Sequence, residues 1–123
     1  MSNDVNIWEF RSTSGYVTGS DLVDFRVEAV DGHIGKIDKL SEQADARYLV
    51  VDTGPWIFGK HVLLPAGTVV QVDFEERKAY VDRTKDEIKN GPEFDRDRHD
   101  HDDTDYQEKY AGYYGPFYGG PAI

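Results

Sequence analysis

The sequence contains no cysteine and is poor in basic residues. Without cysteine the chain has no disulfide bond, thiolate zinc site or cysteine nucleophile, so its core alone must stabilise the fold. Lys and Arg number 14 against 24 Asp and Glu, a net charge of −10. This charge repels phosphates and argues against nucleic-acid binding. No apolar run reaches the roughly 20 residues of a membrane helix, so we expect a cytoplasmic protein without membrane insertion.

Short runs of alternating apolar and polar residues predict strands. In the first run Val27 and Ala29 alternate with Arg26 and Glu28. Six strands are predicted in all, over residues 23–29, 33–37, 46–52 and 60–64 and in a hairpin over 69–81. Six short strands in a chain of 123 residues indicate an all-β fold, a six-stranded barrel.

Glycines lie between the first two predicted strands and within the second. Asp31-Gly32 predicts a tight turn in which glycine supplies a positive φ, and Gly35 predicts a bulge or a sharp bend in the second strand. After the last strand, Thr84-Lys85-Asp86-Glu87 has the pattern of a capping box and Gly91-Pro92 that of a helix stop, which predicts one short helix. We therefore divide the chain into an N-terminal extension (1–17), a barrel domain (18–94) and an acidic spacer with an extended Tyr/Gly/Pro-rich tail (95–123).

Several segments, in this order and spacing, resemble one known family. They are Asp31-Gly32-His33-Ile34-Gly35-Lys36-Ile37, Tyr48-Leu49-Val50-Val51-Asp52, Val62-Leu63-Leu64-Pro65, Tyr80-Val81 and Thr84-Lys85-Asp86-Glu87-Ile88-Lys89. Over about residues 18–94 the chain resembles the PRC-barrel domain. That domain is shared by the cytoplasmic part of the photosynthetic reaction-centre H subunit and a ribosome maturation factor. The whole chain is most similar to small stand-alone bacterial PRC-barrel proteins.

One loop has the composition of a contact surface. Trp56, Ile57 and Phe58 lie between the turn formers Gly54-Pro55 and Gly59. Large aromatic side chains are common anchors of protein interfaces, so we expect this loop to contact a second copy or another protein. The alternative is that the three side chains cap one open end of the barrel.

The C-terminal tail is rich in aromatic residues. Its contact candidates are Tyr110, Tyr113, Tyr114, Phe117 and Tyr118, which we expect to dock in an apolar groove of the barrel, a sister subunit or a partner. The alternative is a disordered tail, because the entropy cost of ordering such a segment nearly equals the gain from burying its rings. The stretch Asp95 to Asp105 is interpreted as a solvated spacer.

Polar clusters in the sequence do not form a recognisable catalytic site. His99 and His101, two residues apart among aspartates, lack a third ligand from a rigid scaffold, and no metal or other cofactor is expected. Asp21, Asp24, Asp38 and Asp52 are expected to be solvated or to accept bonds from turn amides, and His33 and His61 lie near no nucleophile motif. The sequence thus predicts a non-enzymatic protein-interaction module, a homodimer. The resemblance also implies an alternative, an assembly or maturation role on ribosomal subunits or a membrane electron-transfer complex.

Overall fold

A computed structural model of the chain describes residues 6–41, 46–54, 61–92 and 105–118. Its strands are β1 (Arg26–Ala29), β2 (Gly32–Ser41), β3 (Tyr48–Asp52), β4 (His61–Pro65), β5 (Val69–Asp73) and β6 (Lys78–Val81). Its α-helices are α1 (Lys85–Lys89) and α2 (Asp105–Tyr114), and 3-10 turns occur at Ala66–Thr68 and Gly115–Tyr118. The all-β class and the six strands predicted from the sequence are confirmed. None of the helices in these ranges has the length and apolar character needed to cross a membrane.

The six strands form one sheet in the order β4-β3-β2-β1-β6-β5. Neighbouring strands are antiparallel except β1 and β6, which are parallel. The two edge strands, β4 and β5, are joined only by the 3-10 turn Ala66–Thr68. The sheet must therefore curl until its edges meet at this corner, although its described strands do not close into a continuous hydrogen-bonded ring.

The hairpin between β1 and β2 shows why glycine is needed there. Ala29 pairs with Gly32, so the loop consists of Val30 and Asp31, one residue earlier than the turn predicted from the sequence. The predicted bulge occurs where Val27 pairs with Gly35. A Cβ on Gly35 would lie 2.1 Å from the carbonyl oxygen of Asp52 on β3. Glycine therefore lets β2 and β3 approach each other at the bend.

The predicted capping box forms at the start of α1. Thr84 Oγ1 accepts a hydrogen bond from the Glu87 amide at 3.1 Å, and Glu87 Oε1 accepts one from the Thr84 amide at 2.9 Å. The Asp31 carboxylate in the β1–β2 loop accepts a further bond from the Lys85 amide at 2.8 Å. These bonds satisfy amides that the first turn of a helix leaves free, and they fix α1 against the hairpin.

The segment before β1 contains no strand in its described part, yet it packs against the sheet. Ile7 and Leu22 are buried in the core. Three barrel amides donate to carbonyl oxygens of this segment: Gly67 to Ile7 (2.8 Å), Arg47 to Trp8 (3.0 Å) and Val72 to Ser14 (2.8 Å). The described part of the N-terminal extension therefore covers the corner at Ala66–Thr68 and part of β5.

The described part of the tail is helical, whereas the sequence predicted an extended tail. Residues Asp105–Tyr114 form α2, and the 3-10 turn Gly115–Tyr118 follows directly. Aromatic residues recur here at intervals of three and four, which places them on one face of a helix. The prediction followed the glycines and the proline of the tail and overlooked this spacing.

Candidate functional site

Only part of the predicted contact set lies within the described residues. Trp56, Ile57 and Phe58, between the end of β3 and the start of β4, lie outside the described residues. His99 and His101, which precede α2, also lie outside them. The five tail residues, Tyr110, Tyr113, Tyr114, Phe117 and Tyr118, are described, and we call them the aromatic cluster. The structure brings all five onto the chain's own barrel.

The aromatic cluster is held together by ring contacts between adjacent residues and between residues one helical turn apart. Tyr114 is 1% exposed, with its ring centroid 6.3 Å from Tyr110, 4.9 Å from Tyr113 and 6.3 Å from Phe117. Tyr110 is also buried, whereas Phe117 remains 37% exposed. Edge-to-face and offset ring pairs of this kind add about 0.5–1.5 kcal/mol each to the burial of apolar area. Tyr114 is therefore the centre of the cluster.

The surface that receives the cluster is formed by residues 82–92, and we call it the tail groove. Three phenol hydroxyls donate to it: Tyr110 to the Pro92 carbonyl (3.0 Å), Tyr113 to the Glu87 carbonyl (2.5 Å) and Tyr118 to Asp82 Oδ1. The Glu87 carbonyl belongs to the last turn of α1, where carbonyls lack partners within the helix. The Tyr113 hydroxyl thus satisfies one acceptor that α1 leaves unpaired.

Gly91 provides the room for this docking. A Cβ at this position would lie 3.2 Å from Tyr114 Oη and 3.3 Å from Tyr113 Cε2. Both distances are tighter than ordinary van der Waals contact. Gly91 therefore serves two purposes, since it follows the end of α1 and also lets two tyrosine rings approach the backbone.

Asp82 connects the barrel both to the N-terminal extension and to the tail. Its Oδ2 accepts from Arg11 Nη2 at 2.6 Å, and its Oδ1 accepts from the Tyr118 hydroxyl. The Arg11 guanidinium lies 5.4 Å from the centroid of the Tyr118 ring, and Arg11 Nε donates to the Gly67 carbonyl at 2.9 Å. Arg83 lies over Phe117 at 4.3 Å and over Tyr118 at 5.0 Å, within cation–π range.

Sequence reasoning did not identify Arg11, Asp82 or Arg83. Each is an isolated charged residue without a motif, and Asp82 and Tyr118 are 36 positions apart. The spacing of the aromatic residues in the tail, which the prediction overlooked, was the one signal in the sequence for a docking helix. Nothing in the sequence indicated which part of the barrel would receive it.

The phenols of the cluster act as hydrogen-bond donors and not as acids. Burial raises the pKa of the Tyr110 and Tyr114 hydroxyls well above the usual value. Burial also raises the pKa of Tyr118, and the hydrogen bond to Asp82 and its negative charge add to the effect. All three hydroxyls therefore stay protonated across the neutral range, and those of Tyr110 and Tyr118 keep donating to the tail groove.

Three of the four carboxylates considered for acid–base chemistry have structural partners. Asp21 Oδ1 accepts from the Val23 amide at 3.0 Å, and Asp52 Oδ1 accepts from the Gly54 amide at 2.9 Å, as expected for turn residues. Asp38 lies 3.7 Å from His61 Nε2. Within the described ranges, no three His, Asp or Glu side chains are arranged to hold a metal ion. Asp21 and Asp52 thus stabilise turns, and Asp38 faces a histidine of β4.

The bond from Tyr118 to Asp82 leads to a prediction. Tyr118→Phe removes the hydroxyl and keeps the ring, and we expect it to weaken tail docking by about 1.5–3 kcal/mol, the range for hydrogen bonds to charged groups. Hydrogen exchange of the amides in α2 measures the loss. Tyr113→Phe is the matched control because its hydroxyl donates to a neutral carbonyl, a bond worth about 0.5–1.5 kcal/mol. Equal acceleration of exchange in both variants would contradict a special role for Asp82.

Comparison with protein-family models gives one match. The model described as the PRC-barrel domain matches residues 15–88. The matched region contains all six strands and most of α1, and it ends before the aromatic cluster. A comparison with curated proteins gives no match.

Proposed function

Because the chain belongs to the PRC-barrel domain family, a protein-interaction type of module, we propose that it is a non-enzymatic, cytoplasmic adaptor that works as a homodimer. The family match extends over more than half of the chain. The proposed contact residues are Trp56, Ile57 and Phe58 in the loop before β4, together with the aromatic cluster of the tail. No catalytic step is assigned to any residue.

The observation that carries this proposal is the way the tail docks. Ten-residue helices are marginal in water on their own, so α2 depends on the tail groove for its stability. The groove offers it two backbone carbonyls and one carboxylate, acceptors that a different aromatic segment can also use. A segment held in this manner can be exchanged for that of a partner.

The loop before β4 supplies the second part of the proposal. It connects the end of β3 to β4, an edge strand of the sheet. Edge strands are suited to contact with another chain, because they carry backbone groups that are not paired on one side. We therefore assign self-association to Trp56, Ile57 and Phe58.

Trp56→Ala tests the loop. We expect the full-length protein to change from dimer to monomer in light scattering over a concentration series, because truncation of an aromatic anchor removes much of the binding energy of an interface. Trp8→Ala is the control, since the Trp8 side chain is partly buried against the core of its own chain. It should leave the mass unchanged even where it lowers the melting temperature. If wild type is monomeric at every concentration, or if Trp56→Ala retains the dimer, the loop is not the contact.

A further inference from the structure

Three basic side chains lie next to one another on the outer face of the sheet. Arg26 on β1 pairs in register with Lys36 on β2 and with Lys78 on β6. Arg26 and Lys36 are exposed and Lys78 is half-buried. Cross-strand neighbours in register have Cβ atoms about 4.5–5.5 Å apart, and like charges at this distance destabilise a sheet. We call these three residues the basic row.

The basic row is neutralised only in part within the described part of the chain. An aspartate lies at each end of the row: Asp52 on β3 pairs in register with Lys36, and Asp73 on β5 pairs in register with Lys78. One carboxylate oxygen of Asp52 accepts a hydrogen bond from the Gly54 amide, and one of Asp73 accepts hydrogen bonds from the Glu75 and Glu76 amides. No side chain of the row forms an ion pair in the described ranges. By contrast, Arg11, Arg47 and Arg83 all pair with carboxylates.

The basic row is separate from the tail groove. Lys78 begins β6, whereas Asp82 follows the end of that strand. At about 3.3 Å per residue the two lie about 13 Å apart along the strand. A binding partner can therefore occupy the row while the tail stays in its groove.

The same chain contains a segment of the opposite charge. Residues 93–105 carry seven Asp and Glu against Arg96 and Arg98. Both flanks of this segment are at the tail groove, because the Tyr110 hydroxyl donates to the Pro92 carbonyl. The chain therefore enters and leaves this segment near the Asp82 end of β6, whereas the basic row crosses β6 at Lys78. Two copies related by a two-fold axis, side by side and antiparallel, bring each acidic segment to the basic row of the other copy.

We propose that the basic row is a docking surface for the acidic segment 93–105 of a second copy. The proposal deepens the proposed self-association, on which it rests, by adding an electrostatic contact to the apolar contact at Trp56. Polyanions such as nucleic acids are disfavoured as occupants because the chain as a whole, with a net charge of −10, repels them. In a dimer with reciprocal contacts, the acidic segment of each copy neutralises the basic row of the other.

Salt dependence is the first test, on the full-length protein by analytical ultracentrifugation at about 0.05 M and about 0.5 M NaCl. We expect the dissociation constant of the dimer to rise about tenfold or more with salt. Lys36→Gln should remove most of this difference. Lys39→Gln is the matched control: Lys39 is exposed on the same strand, and it pairs in register with Val50 instead of a cation. Equal effects of the two variants, or a dimer insensitive to salt, would overturn the proposal.

A charge exchange between two variants shows whether the contact is made between copies. One variant carries Arg26→Glu and Lys36→Glu; the other carries Asp100→Lys, Asp102→Lys and Asp103→Lys. Each alone should be mostly monomeric at low salt, and their mixture should form a heterodimer, because each row then meets a segment of opposite charge. If the segment instead binds the row of its own chain, mixing restores nothing and the proposal is refuted. Circular dichroism confirms that each variant is folded.

The two experiments keep this contact distinct from the Trp56 contact. If the loop assignment fails but the row assignment holds, Trp56→Ala leaves a dimer that dissociates with salt. If the loop assignment holds alone, the dimer persists in high salt and Lys36→Gln has no effect. A wild-type chain that is monomeric at both salt concentrations contradicts both proposals.

Discussion

Truncation of Leu49 to alanine is expected to lower the free energy of unfolding by about 2–5 kcal/mol. Leu49 has no exposed surface, and β3 pairs it with Leu64 on one side and Leu40 on the other. A smaller side chain leaves a cavity among strands that cannot move together, because β3 is hydrogen-bonded along both edges. Urea denaturation followed by tryptophan fluorescence measures the change as a lower midpoint with an unchanged slope.

Val30→Ala is the control for Leu49→Ala. Val30 lies in the β1–β2 loop and is 66% exposed, so its truncation should change stability by no more than about 0.5 kcal/mol. If Leu49→Ala were equally mild, β3 would not be the centre of the core. A lower midpoint accompanied by a shallower slope would show instead that the variant no longer unfolds in one step.

Tyr114→Ala is expected to release the tail while the barrel remains folded. Replacing a buried aromatic side chain by alanine costs about 3–5 kcal/mol, more than a marginally docked segment can lose. Because a helix as short as α2 does not persist alone, the amides of residues 107–114 should then exchange at the rates of an unstructured peptide. Amides of β3 should stay protected. This result would contrast with Leu49→Ala, which weakens protection throughout the sheet.

Phe117→Ala is the control for Tyr114→Ala within the same cluster. Phe117 is 37% exposed, so its truncation should accelerate exchange in the tail much less. A chain that ends at residue 104 should reproduce the protection pattern of Tyr114→Ala in the barrel. If either Tyr114→Ala or this shorter chain unfolds as a whole, the tail is a necessary part of the core and not a replaceable segment.

The sequence allowed the strands to be predicted because their signals are local. Val27 and Ala29 alternate with polar neighbours, and Gly32 and Gly35 mark a turn and a bend within the same hairpin. The parallel pairing of β1 with β6 was not predicted. It joins residues far apart in the chain, and the alternation of apolar residues is the same for parallel and antiparallel neighbours.

The candidate site was predicted only in part, for the same physical reason. The aromatic residues of the tail identify one half of the contact, since burial of several rings is favourable wherever a groove exists. The other half consists of carbonyls at Glu87 and Pro92 and of the Asp82 carboxylate. Backbone carbonyls have no signature in a sequence, and one aspartate among 24 acidic residues does not stand out.

The parallel pairing of β1 with β6 determines the order in which the sheet is completed during synthesis. Strands β1 to β4 pair with their neighbours in sequence and need only short loops to close. The other edge of β1 stays unpaired until Lys78–Val81 has left the ribosome, and contacts of this range are slow to form. A nascent chain that stalls before β6 therefore exposes the edge of β1 to other chains. The release of β6 ends this aggregation-prone interval, and only then is the tail synthesised that docks beside it.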